Sequence, residues 1–551
     1  MTLLSPNEQF DLNSFGLDES EHFHPWFMSI NKIVNINAPQ MLDILFTSIN
    51  DDTLNPEQVA FMCTMILTIL YDQNKPLENS IDKYVEAFSD SIIRLLVVYK
   101  NYILSPPIIN SFLLFLRHLE KYKFLFGSDF SHKLYLKFGE RMNIKTSEQM
   151  LQYLFEILFT LFQNCDQKKY ILDGCKALSY LFNENKYFHP YVIRVPLVSY
   201  IVKIRVETPF PFLLKESFSQ ARTVFHSSIA TILVNKDADQ LRSCHLSIYD
   251  MALTKPTPST APLSGTIDES IWGFLCDFTG FFKFTTKKEE FDIFFYYLYT
   301  HKHFESLIGY INKITSFSPS ILIQLLKFWN ALLDNKIEFR HHSEEGIILF
   351  HFALDSLKTI IKLITPELAP GADLTRKTVY YIFRIINSLL AANYVPYKCF
   401  DRYNDTGLID LLSIFNLCLG AAPPSELTQY PKLERILMKL TITICSHEDQ
   451  HHLEETAKPE VMCTPIILDI INFGLRSNDP FIRENSISCF SAFMKFRGIF
   501  VRVKSSEDSN ETVGLDLNSN PNAGLMTVIP KEKLTLTCCG LWNMLLANRK
   551  Q

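Results

Sequence analysis

The chain has 551 residues, 47% hydrophobic and 20% charged, with a formal net charge of −6. So much apolar material excludes disorder for most of the length, and 17 glycines are too few for the tight turns and phosphate loops of a doubly wound α/β enzyme or a β-sandwich; an all-α fold is expected. With a negative balance and no run of four Lys or Arg, a broad nucleic-acid-binding face is disfavoured.

Residues 1–25 carry Glu8, Asp11, Asp18, Glu19 and Glu21 without a Lys or Arg and read as an acidic, flexible N-terminal tail. The opening "MTLLSPNEQFDLNSF" has neither the basic nor the apolar region of a secretory signal. From residue 26 helical periodicity takes over. Tyr84, Val85, Phe88, Ile92, Leu95, Leu96 and Tyr99 fall at three-and-four spacing, and after "NYILSPP", with Ser105 as cap, Ile108, Ile109, Phe112, Leu113, Leu116 and Leu119 repeat the pattern. Met150–Gln163 with Lys168–Asn183, and His303–Thr315 with Ser320–Asp334, read as hairpins across short loops, in an array of units ~35 to 45 residues long.

The Pro-rich "LTKPTPSTAPLSGT" (253–266) reads as a linker between an N-terminal helical-repeat half (26–252) and a C-terminal one (267–503). Further proline-rich breaks stand at 364–375 and 420–431. The polar stretch 504–530 reads as a flexible insertion and 531–551 as a terminal helix. Twelve cysteines without a Cys-x-x-Cys pair suit reduced core thiols, and apolar runs such as "SFLLFLRHLEKYKFLF" break well short of the ~20 residues of a membrane span. Cytosol, or nucleus, is the expected location, without membrane insertion.

One segment matches a catalytic motif. In "HEDQH", His447 and His451 would face one side of a helix and hold zinc, with Glu448 as general base, which makes a zinc-dependent hydrolase the alternative function. Asp449, Gln450, His452, Glu454 and Glu455 make the segment polar on every side, so it reads as a surface loop; "RHHSEEG" (340–346) reads likewise. Phosphate-loop, dinucleotide and Gly-x-Ser-x-Gly signatures are absent from the sequence. In the aromatic block 290–304, Phe291, Phe294, Phe295 and Leu298 read as core. No catalytic residue, cofactor or metal ligand is assigned.

"SNDPFIRENSISCFSAFMKF" (477–496) is the most informative stretch. Asp479 caps a helix, Pro480 takes its first position, and Ile482, Ser486, Cys489, Phe490 and Phe493 share a face on which small residues admit a neighbour. "TPIILDIINFGLR" before it supplies a partner helix whose buried side is Ile466, Ile467, Ile470 and Ile471. The pair resembles the HEAT and armadillo repeat families, whose second helix opens on Asp-Pro-x-(Val/Ile)-Arg; Asp479, Pro480, Ile482, Arg483 and Ser486 carry the match. Weaker echoes stand at Tyr170, Gly174, Ala177 and Leu178, and at Val224, Ser228, Thr231 and Ile232.

The resemblance implies a right-handed α-solenoid of stacked antiparallel hairpins: a non-enzymatic scaffold or regulatory adaptor that binds one or more proteins or extended peptides along a groove, with nuclear transport and GTPase regulation as known uses of such folds. None of Trp26, Trp272, Trp329 or Trp542 has Asn four positions on, so the nuclear-signal pocket of karyopherin-α chains is not expected. Off the core face, Asn485 and Ser488 here, and Arg384 and Asn387 on the 379–390 helix, are the candidate protein-binding residues.

Overall fold

A computed structural model describes residues 42–49, 53–72, 93–126, 142–182, 189–200, 210–235, 238–252, 269–312, 318–334, 344–364, 373–391, 400–421, 430–446 and 464–496, apart from a few isolated positions inside these stretches. Among the described residues every regular element is helical. The longer helices are α1 (Pro56–Asp72), α2 (Pro106–Phe126), α3 (Ser147–Asn164), α4 (Lys168–Phe182), α5 (Ser219–Leu233), α6 (Asp239–Ala252), α7 (Glu269–Phe284), α8 (Lys288–Thr300), α9 (His303–Ile311), α10 (Pro319–Leu333), α11 (Glu344–Ile364), α12 (Asp373–Ala391), α13 (Gly407–Ala421), α14 (Pro431–Ser446), α15 (Thr464–Leu475) and α16 (Pro480–Phe496). The tail 1–25, the 253–266 stretch, HEDQH and residues 504–551 lie outside the described residues.

Contacts divide the chain into two units, one made of Met1–Ala252 with Glu269–Phe284, the other of Leu253–Asp268 with Thr285–Gln551. In the first, α1 packs on α2, α2 on α4, α4 on α5 and α5 on α7, while α3 pairs with α4 across three residues. Local chemistry sets these helices. Thr146 caps α3 by accepting from Gln149 N at 3.2 Å, and a nearly continuous apolar run from Met150 to Phe162 is buried against its neighbours. On α2 the expected stripe Ile108, Ile109, Phe112, Leu113 and Leu116 is buried. Ser105, read as a cap, donates its hydroxyl proton to Glu57 Oε1 at 2.7 Å and so ties α2 to α1.

The core of the first unit holds a charged cluster. Arg222 of α5 grips Asp277 of α7 bidentately, Nε to Oδ1 at 2.6 Å and Nη2 to Oδ2 at 2.8 Å, and also donates to the Leu213 carbonyl. Tyr249 of α6 donates to Asp277 Oδ2 at 3.0 Å, and His226 Nδ1 stands 2.9 Å from Oδ1. Asp277 and His226 are wholly buried. Burial works against the charge of Arg222, but the facing carboxylate outweighs it and leaves the guanidinium pKa above the ordinary arginine value. Trp272 closes the cluster, its ring 5.1 Å from the guanidinium carbon.

This contact depends on a close helix approach. A Cβ on Gly280 would lie 2.9 Å from Ser227 N and closer still to Thr223 O, both backbone atoms of α5 that no rotamer can move. Gly280→Ala must therefore push α5 and α7 apart, at an expected cost of about 1–3 kcal/mol, read as a lower denaturant midpoint.

In the second unit, α9, α11 and α13 pack in succession as one file and α10, α12, α14 and α16 as another; α15 packs against α14 and α16. Phe291, Phe294, Phe295 and Leu298 of α8 are buried, as the periodicity predicts. So are Ile482, Ser486, Cys489 and Phe490 of α16, and Ile467, Ile470 and Ile471 of α15. The small residue at 486 has a visible reason: a Cβ added at Gly474 of α15 would collide with Ser486 Oγ and sit 2.5 Å from the Met438 methyl, so three helices converge there.

Most of the ties between packed helices span more than the ~35 to 45 residues expected of one hairpin unit. Polar ties between successive packed helices join residues 44 to 56 positions apart, from Arg435–Asp479 to Asn387–Thr443, with Asn312–Thr359, Asp334–Arg384 and Arg222–Asp277 between those limits. Helices of up to 21 residues and connections of varied length account for the difference.

Candidate protein-binding face

The candidate residues lie in the file α10, α12, α14 and α16, whose apolar sides are consumed by packing and whose remaining sides carry ties from helix to helix. Arg384 of α12 pairs with Asp334 after α10, and Arg376 lies 3.9 Å over the Tyr430 ring. Arg435 of α14 holds Asp479 at 2.7 Å and 2.9 Å. Asp479 also accepts from Phe481 N at 3.0 Å, the capping role expected of it; the hydrogen bond from Arg435, with that from the backbone, holds its carboxyl below the ordinary aspartate pKa.

The four predicted residues are placed differently. Arg384 is partly exposed and Ser488 exposed, with its hydroxyl donating to Glu484 O at 3.1 Å. Asn485 is half-buried and donates from Nδ2 to Phe481 O at 2.7 Å. Asn387 departs from the off-core position expected of it. It is buried, and its Oδ1 accepts from Thr443 Oγ1 at 2.9 Å, so it serves the contact between α12 and α14. A period-3.6 pattern does not reveal that a neighbouring helix covers a polar position.

Sequence reasoning passed over residues on the same face. Lys377 of α12, Lys432, Arg435 and Lys439 of α14 and Phe481 of α16 are exposed. Three-residue and four-residue spacing puts Lys377, Tyr380 and Arg384 on one stripe and Lys432, Arg435 and Lys439 on another, a signal legible only once the solvent side of each helix is known.

Chemistry elsewhere is muted. Burial drives the thiol of Cys418 up to about 12, and that of Cys63 higher, so neither is a nucleophile at neutral pH. Among the described residues no group of three or more His, Cys, Asp or Glu could hold a metal ion, and none of their helices is long and apolar enough to cross a membrane.

Comparison with known proteins adds a distant sequence similarity. The similarity is to exportin-7. The chain is 23% identical over 327 residues to exportin-7-B and to exportin-7-A of Xenopus laevis, across 55% of its own length and 29% of theirs. The chain thus matches less than a third of each exportin-7. No family model matches it.

Proposed function

We propose that this chain is a HEAT/armadillo-type α-solenoid that works without catalysis as a protein-binding receptor in nuclear transport, shuttling between cytosol and nucleus and engaging partners along the α10–α16 file. The observation that carries this reading is the recurrent tie 44 to 56 residues along, which links each helix of a file to the next and leaves an extended polar side unconsumed. The resemblance to chains named exportins supplies the direction of the proposal, since export requires a receptor that binds other proteins.

The test is cellular. On depletion of this protein, a set of proteins should shift towards the nucleus, and the tagged chain should co-purify with them. Arg384→Ala combined with Asn485→Ala should weaken that capture while the melting temperature holds. Depletion that redistributes no protein would remove the transport role, and undiminished capture by the stable double variant would remove the face.

A further inference from the structure

The two files of the second unit differ in charge. Helices α10, α12, α14 and α16 carry nine Lys or Arg against three Asp or Glu, whereas α9, α11 and α13 carry two Lys against five acidic residues. Among the described helices of these two files, the cations are therefore gathered on one.

Their arrangement follows from helix register. Arg376 lies over Tyr430, and Asn387 accepts from Thr443, so α12 and α14 run parallel with nearly constant offset. Carried along both helices, that register sets Lys377 beside Lys432, Tyr380 beside Arg435 and Arg384 beside Lys439. Positions seven apart on a helix are separated by ~10 Å, and packed helices lie ~8–10 Å apart, so the four corner cations form a square with sides of ~10 Å. Carboxylates bound the square on both sides: Asp334 pairs with Arg384 and Asp479 with Arg435.

Resting on the reading of this file as a binding face, we propose that the Lys377, Arg384, Lys432 and Lys439 square docks an acidic, extended segment of a partner protein with Asp or Glu at every third position. In a polyproline II chain three residues make one turn and advance ~9 Å, so every third carboxylate faces the same side and meets a cation across the ~8–10 Å between helices. Between the corners Arg435 holds Asp479, and the Tyr380 hydroxyl lies 3.5 Å from Arg384 Nη1. Nucleic acid fits less well. Each strand of a duplex carries a charge every ~3.4 Å and would run off this two-helix patch onto Asp334 and Asp479.

The test uses the full chain and fluorescence anisotropy. The probe is a labelled peptide of about a dozen residues with Glu at every third position; the comparisons are the same residues with the Glu gathered at one end, and a single-stranded DNA of equal charge. The spaced peptide should bind best, should weaken with salt, and should lose about tenfold or more in affinity to Lys377→Glu/Lys432→Glu/Lys439→Glu. Lys362→Glu on α11 should change nothing. Circular dichroism checks that the triple variant folds, and the corresponding triple Lys→Gln variant, expected to lose affinity in the same direction, replaces it if it does not. Equal binding of both peptides, unchanged binding by the folded variants, or DNA bound more tightly than peptide and lost in the variants, would each overturn the proposal. Intact peptide docking with no transport defect on depletion would count against the transport reading alone.

Discussion

Asp277→Ala should be among the most damaging single changes in the described chain, with an expected loss of about 3–5 kcal/mol, the range for removing one partner of a buried ion pair. The carboxylate is wholly buried and meets Arg222, Tyr249 and His226 at once. Without it a guanidinium from which water is excluded keeps the Leu213 carbonyl but loses its counter-charge. The penalty comes from what is left behind, so two controls follow. Asp277→Asn keeps the shape and part of the hydrogen bonding and should cost less. Arg222→Leu with Asp277→Leu together should cost less than the sum of the separate changes, because no charge is stranded. Urea denaturation followed by circular dichroism measures the loss, and hydrogen exchange on α5 and α7 locates it in the first unit. A loss below about 1 kcal/mol for Asp277→Ala would mean that the pair is not the stabilising centre its burial implies.

Ser486→Phe should remove the packing of α14, α15 and α16 by overfilling it, at about 3 kcal/mol or more, the upper end of such penalties. Ser486 is wholly buried, its hydroxyl donates to Ile482 O at 2.7 Å and touches Met438 Sδ at 3.5 Å, and the absence of a side chain at Gly474 is what lets the helices meet. A ring has no room unless α15 and α16 separate. Rapid hydrogen exchange confined to α14–α16, with protection kept in α10–α12, is the expected signature. Wild-type protection in those three helices would refute the orientation of α16.

That orientation was legible in the sequence, because Asp-Pro fixes the start of α16 and the 3.6-residue period then assigns Ile482, Ser486, Cys489 and Phe490 to one face. The same reasoning placed Phe291, Phe294, Phe295 and Leu298 in the core. Features that need two distant segments were not legible. Arg222 and Asp277 are 55 positions apart, and neither lies in a local pattern that announces a buried ion pair. Asn387 looked available because periodicity reports the side of a helix and not whether Thr443 of the next helix covers it. The sequence separation of packed helices was not legible for a related reason: connections vary, and only the ties across helices show which segments meet. The cationic square escaped notice because Lys377 and Lys432 are neighbours only once α12 and α14 are in register.

The recurrent spacing of those ties also bears on how each unit assembles. Every tie closes a loop of about fifty residues, for which the length-dependent entropy is roughly 3.5 kcal/mol, and because that term grows only with the logarithm of length it hardly differs from one tie to the next. Growth of a file therefore meets near-equal barriers, and folding can begin at any well-packed pair, such as α5 with α7 or α12 with α14, and spread to its neighbours. Sequence separation within a file stays near fifty residues however many helices are added, so lengthening a unit need not slow its folding.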